Sequence, residues 1–168
     1  MQDPGQHPQE EERLAALEQL GLLNTPQEER FDDLTKRAMA RFGVRMVAVT
    51  LIDRKREWYK SCCGDICPPG REGARSVSFC GHALLANYVF VVADTLLDPR
   101  FSDNPMVLHA PFIRFYAGVA LREHLSNLPV GVFCIKDTKP RQLETQDIND
   151  LIDFAKLAEK ELQVKEGN

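Results

Sequence analysis

The chain has 168 residues, of which 43% are hydrophobic, 27% charged and 8% aromatic. That is the balance of one folded domain with a real core rather than of a disordered segment. A formal charge of −4 and a pI near 5.6, with no Lys/Arg block, lack the electrostatic footprint of a nucleic-acid binder and give no attraction to anionic lipid. No apolar run approaches the roughly 20 residues of a membrane span, and the opening Met1-Gln2-Asp3-Pro4-Gly5 is no secretory signal. Neither nucleic acid nor membrane is therefore expected as a partner, and the cytoplasm is the expected location.

In chain order, residues 1–9 are polar and rich in Pro and Gln, which predicts a flexible tail. A helix follows from Glu10, with Leu14, Leu17 and Leu20 as its apolar stripe and Gly21 near its stop. Thr25 is placed to cap a second helix, with Pro26 at the first position and Glu28 as a capping-box carboxylate. That helix should bury Phe31, Leu34, Ala38 and Phe42 and end at Gly43. Val44 to Ile52 reads as a strand, residues 53–56 as a turn and Glu57 to Cys63 as the returning strand. Residues 64–77 read as loop. Ser78 can cap a short helix from Phe79 to about Ala86, and Val89 to Ala93 is a short strand. The three prolines in 94–111 predict a long excursion with a helical turn or two, a kind of segment that is often functional.

Phe112 to Leu121 and Val130 to Lys136 complete the strands. Thr145 then caps a long helix carrying Ile148, Leu151, Ile152, Ala155, Ala158 and Leu162 on one face. The domain is expected over 10–163, with 164–168 as a short tail. Strands joined by short turns, with helices at both ends of the chain, predict an α+β fold around one antiparallel sheet.

The five cysteines are Cys62, Cys63, Cys67, Cys80 and Cys134. An odd number without an export signal reads as reduced thiols. With His82 nearby, Cys62, Cys63, Cys67 and Cys80 form a soft set that zinc could use, but no C-x2-C pair is present and adjacent strand residues face opposite ways. A redox-sensitive thiol pair is another reading of these residues, and incidental cysteines with no role are the third. The chain has no Walker loop, no G-x-S-x-G, no G-x-G-x-x-G and no deaminase zinc signature. No catalytic residue is assigned, and binding is expected rather than catalysis.

Glu12-Arg13-Leu14-Ala15-Ala16-Leu17, Gly21-Leu22-Leu23-Asn24-Thr25-Pro26, Val49-Thr50-Leu51-Ile52-Asp53 and Ser78-Phe79-Cys80-Gly81-His82-Ala83 together resemble the GAF domain. The run Val92-Ala93-Asp94-Thr95-Leu96-Leu97-Asp98-Pro99-Arg100-Phe101 and the closing Gly131-Val132-Phe133-Cys134-Ile135-Lys136-Asp137 extend the match to about residues 10–163. The likeness is to the branch found at the front of bacterial sensor kinases and diguanylate cyclases. It implies N- and C-terminal helices packed together on one face of the sheet and a ligand pocket under the 79–110 segment on the other. It also implies a sensory or regulatory role, an unknown small molecule as ligand, a homodimer and a signalling protein as partner. The cofactor is left unknown. A branch of this family that reduces free methionine sulfoxide with cysteines gives the alternative reading. A covalent bilin would need more than Cys80-x-His82.

The pocket residues expected on these grounds are Phe79, Cys80, His82, Asp94, Arg114 and Tyr116. Cys80 in the first turn of a helix would have its thiol acidified by the orphan N–H groups there, against the alternative of an inert buried thiol. Arg114 and Tyr116, two apart, share a strand face with Phe112, and Arg114 has Asp94 as an alternative ion-pair partner. Asp98, Arg100, Asp103 and Asn104 either line a ligand or simply build turns. Trp58 is read as packing near a strand end.

Overall fold

The computed structural model describes residues 1–165. Five helices, α1 (Glu10–Leu20), α2 (Glu29–Phe42), α3 (Phe79–Leu84), α4 (Pro105–Leu108) and α5 (Thr145–Gln163), accompany six strands. The strands are β1 (Met46–Ile52), β2 (Arg56–Gly64), β3 (Glu72–Ala74), β4 (Phe90–Val92), β5 (Phe115–Arg122) and β6 (Pro129–Asp137). They form one antiparallel sheet in the order β3-β2-β1-β6-β5-β4. β1 and β6 lie at its centre and are buried along their whole length, which is why their sequences read as continuous apolar runs rather than alternating ones.

Helices α1, α2 and α5 cover one face. Leu17, Phe31, Leu34, Leu151 and Ala158 pack there on Val47, Leu51, Phe133 and Ile135. Arg41 of α2 clasps Asp147 at 2.9 Å and Asp150 at 2.7 Å, tying α2 to the start of α5. The opposite face carries α3, α4 and their loops on Met46, Ala48, Tyr116, Val132 and Cys134. The α+β expectation, with N- and C-terminal helices in one layer, matches this arrangement. Among the described residues no helix is long and apolar enough to cross a membrane.

β2 departs from simple alternation. Thr50 pairs with Tyr59 and Val49 with Ser61, so Lys60 is bulged out of register. Lys60 and Ser61 consequently both reach the helix layer. Lys60 Nζ meets Glu28 at 2.6 Å, Thr25 Oγ1 at 2.7 Å and Pro26 O at 2.7 Å, while Ser61 Oγ donates to Asp32 at 2.6 Å. This explains a difference at the second helix. Thr25 serves Lys60 instead of capping, and the helix starts at Glu29.

Other boundaries differ for local reasons. The cap of α5 is Glu144 rather than Thr145, in a reciprocal capping box with Asp147. Phe112 is not on a strand. It has φ 59° directly after the cis Ala110–Pro111 bond and is exposed, so β5 begins only at Phe115. Residues 64–77, expected as loop, contain the short edge strand β3. Residues 1–9, expected as a loose tail, lie against the domain, where Gln2 N donates to Arg100 O at 3.1 Å and Arg75 Nη2 to Gly5 O at 3.4 Å. Of the short tail expected at 164–168, Val164 O accepts from Arg30 Nη1 at 3.1 Å, and 166–168 lie outside the described residues.

The expectation of five reduced thiols is corrected by a Cys62–Cys67 disulfide, with Cα atoms 6.1 Å apart. The reversal that allows it passes through Gly64 at φ 124°, where a Cβ would collide with the Arg45 carbonyl. Cys63, Cys80 and Cys134 are free.

Candidate functional site

Under α3 three of the six expected residues, Phe79, Cys80 and Tyr116, belong to a packed core. Ser78 caps the helix by accepting from Gly81 N at 2.9 Å, which fixes the first turn. Phe79 then stacks on Phe101, centroids 4.4 Å apart, and on Tyr116 at 5.3 Å. Tyr116 Oη donates to Cys80 Sγ at 3.2 Å, and Cys80 Sγ lies 3.7 Å from Cys134 Sγ. Burial pushes the Cys80 thiol well above the usual range, so the acidifying effect expected from the helix start does not win. Cys134, which accepts from Cys80 and has Lys136 near, is the more readily ionised of the two.

His82 is on the outer side of α3, its Nε2 3.1 Å from Gln2 O, and burial lowers its pKa. Arg114 forms an ion pair with Asp94 at 3.0 Å. Asp98 holds Arg100 at 2.7 Å, and Asn104 caps α4 by accepting from Met106 N at 2.9 Å. Asp103 precedes that cap. These polar residues build the excursion. Two of the four cysteines weighed as metal ligands, Cys62 and Cys67, are consumed in the disulfide, and Cys80 is paired with Cys134 instead.

Open space lies beside this core. A cleft of about 480 Å³ opens between residues 65–69 and 106–113 on the same sheet face. Met46, Ile66, Met106 and Ile113 give it apolar walls, the disulfide-bonded Cys67 lies on one side, and Tyr59, Asp65 and Lys136 are the polar residues of its lining. Its size and its few polar groups suit a small molecule. None of the six residues expected for the pocket is among its lining.

Strand register places the polar group. Lys136 on β6 is directly opposite Met46 on β1 and Tyr116 on β5. Its Nζ lies 3.4 Å from Tyr59 Oη, which donates to Glu57 Oε1 at 2.8 Å. Glu57 Oε2 is buried without a hydrogen-bond partner. The Tyr59 and Tyr116 rings are 5.7 and 5.8 Å from Nζ, a favourable seat for a cation. Burial works against the Lys136 charge, but Tyr59, Glu57 and the two thiols hold its pKa well above the usual lysine range. Burial and the Glu57 charge raise Tyr59 likewise. The result is a buried cation beside a tyrosine and a carboxylate, at the edge of an open apolar space.

Sequence reasoning passed over Glu57, Tyr59 and Lys136. The signal was period-two alternation. Val132, Cys134 and Lys136 share one face of β6, so a strand that sends Cys134 inward toward α3 also sends Lys136 there.

A sequence profile of the GAF domain family, described as "GAF domain", matches residues 26–162. The chain is 39% identical over 150 residues to a cyclic di-GMP phosphodiesterase of Pseudomonas aeruginosa, an alignment covering 88% of this chain and 25% of that protein. The chain thus spans about a quarter of that relative's length. Among solved structures, the GAF domain region of a membrane protein from Geobacter sulfurreducens has a TM-score of 0.59 at 18% identity, over 88% of this chain and 94% of that one. Free methionine-R-sulfoxide reductase from Neisseria meningitidis, in complex with its substrate, has a TM-score of 0.63 at 16% identity, over 96% of each chain. At such identities these two likenesses concern the fold alone.

Proposed function

The chain belongs to the GAF domain family, and on that premise we propose that it is a sensory domain of signal transduction that binds a small molecule in the cleft between 65–69 and 106–113. The observation that carries this reading is the cleft itself, apolar in its walls with a buried lysine and tyrosine, on the sheet face opposite the helix layer. Occupancy of the cleft would order the two loops that border it. The sheet beneath them is shared with α1, α2 and α5, which pass the change outward. The similarity to a cyclic di-GMP phosphodiesterase supports a setting in which such a domain regulates a signalling enzyme.

The outputs are a homodimer and a signalling partner, in a bacterial cytoplasm. Leu157 on α5 is 39% exposed, with Ile148 and Ile152 half-buried, so the apolar positions of this 19-residue helix extend beyond those the core uses. Native mass spectrometry of protein purified gently from its host tests both parts. The expected result is a dimer carrying an adduct lost on denaturation. A bare monomer, whose amide exchange in 65–69 and 106–113 is unmoved by a small-molecule extract of the host, would count against the reading.

One observation favours a second reading. Cys67 lines the cleft and is bonded to Cys62. As a dithiol, this pair could reduce a free sulfoxide to the sulfide, giving up two electrons and two protons, forming the disulfide and releasing water. Formation of methionine from free methionine sulfoxide by the reduced protein, lost in Cys67→Ser, is the result that reading requires. No turnover with a dithiol reductant present would remove it.

A further inference from the structure

Lys136 has more hydrogen-bonding capacity than the protein uses. Its side chain borders the cleft and the residue is only 2% exposed. Its single hydrogen bond among the described residues is the 3.4 Å contact with Tyr59, one of three available donors. The aromatic faces of Tyr59 and Tyr116 steady the charge without supplying a lone pair in return. A buried ammonium with unspent donors beside an open space calls for an acceptor, and a charged acceptor makes the stronger bond.

Resting on the reading of the cleft as the ligand site, we propose that it takes a small monocarboxylate with an apolar body. The carboxylate accepts from Lys136 Nζ, and the body lies between Met46, Met106 and Ile113. The limit to one negative charge follows from the surroundings. The cleft lining has one lysine, no arginine and one carboxylate, Asp65, which Arg45 holds at 2.8 Å, and the Glu57 carboxylate lies just behind Tyr59, so a second negative charge finds no free cation and is repelled. The limit on the body follows from the walls, where thioethers, prolines and isoleucines dominate and a polar body would lose its hydration unrewarded.

The chain supplies its own reporters. Of its four methionines, Met46 and Met106 line the cleft, while Met39 packs on the other side of the sheet. With methionine methyls labelled with 13C, the full-length protein is titrated with hexanoate and benzoate, then with hexanamide and benzamide, then with phenyl phosphate. The expected result is that the acids move the Met46 and Met106 methyls and leave Met39 in place. Each amide needs at least about tenfold more ligand for the same shift, the scale of one hydrogen bond gaining charge. Phenyl phosphate binds more weakly than benzoate, and Lys136→Met erases the difference between each acid and its amide.

Amides that match their acids in wild-type protein, or a preference for phenyl phosphate, would overturn the monocarboxylate while leaving a ligand cleft. Silence of both cleft methyls toward every probe, neutral or charged, would overturn the cleft reading with it. If Lys136→Met does not fold, the acid and amide comparison in wild-type protein decides alone.

Discussion

Arg75 Nη1 lies 2.6 Å from Glu10 Oε2, joining the segment just ahead of α3 to the first turn of α1. Arg13 holds the same carboxylate at 2.9 and 3.0 Å and reaches the carbonyl of Ile52 at the end of β1 at 2.8 Å. One buried carboxylate thus links the α3 face, the sheet and the helix layer. Burial alone would raise its pKa, but the two guanidiniums outweigh that and bring Glu10 down to about 2.

Glu10→Gln should destabilise the protein by about 3 kcal/mol at neutral pH, because it leaves two buried guanidiniums facing each other without a counter-charge. The folded pKa is depressed below its ordinary 4.5, so the carboxylate's contribution is full above that value and is lost as the pH falls toward 2. Denaturant unfolding at pH 7 and pH 3 should show the gap between wild type and variant narrowing in acid. A gap that is constant with pH would contradict the role given to this charge.

Tyr59→Phe should cost about 1–3 kcal/mol, since it removes the only hydrogen bond that the buried Glu57 carboxylate makes among the described residues, as well as the contact of Lys136. Thermal unfolding checks this. An unchanged midpoint would mean that Glu57 finds another donor.

Thiol counting tests the cysteine arrangement. Under non-reducing conditions iodoacetamide should label Cys63 first in the native protein, because Cys80 and Cys134 are buried. Denaturation without reductant should expose the three free thiols, and reduction should add Cys62 and Cys67. Labelling of all five without reductant would contradict the disulfide.

Gly131→Ala should destabilise by about 1–3 kcal/mol, as overpacking does. Its new Cβ would press on the Thr50 carbonyl in the neighbouring strand, and backbone cannot yield as a flexible side chain can. Gly70→Ala, where nothing lies within 4 Å, should stay within about 0.5 kcal/mol. Chemical denaturation of the pair separates a close approach from a general effect of losing glycine.

The fold was legible because its signals are local and periodic. The β-branched run before Ile52, the Ser78 cap and the helical stripe of α5 each name their own element, and the run of turn residues from Asp94 to Asn104 became the caps and ion pairs that build the excursion. The cleft was harder to see. Tyr59 and Lys136 are 77 residues apart and meet only through strand pairing, while the helix opening with Phe79 and Cys80 drew notice for its own chemistry and turned out to be core. The disulfide was missed for a similar reason, since a glycine with positive φ, rather than the spacing of the cysteines, decides that Cys67 turns back to Cys62.

The bulge in β2 makes that strand modular. Because Lys60 is the extra residue opposite the Thr50/Val49 step, its deletion would restore strict alternation without moving any other side chain of β2 to the opposite face. Glu57 and Tyr59 would still point toward the cleft, and Ser61 toward Asp32. The loss would fall on the clasp on Glu28, Thr25 and Pro26, on the Phe31 ring contact and on the bond from Arg71 to the Lys60 carbonyl, which together help moor the connection between α1 and α2 to the sheet. A one-residue change in length would therefore loosen the helix layer while the cleft side of β2 keeps its register.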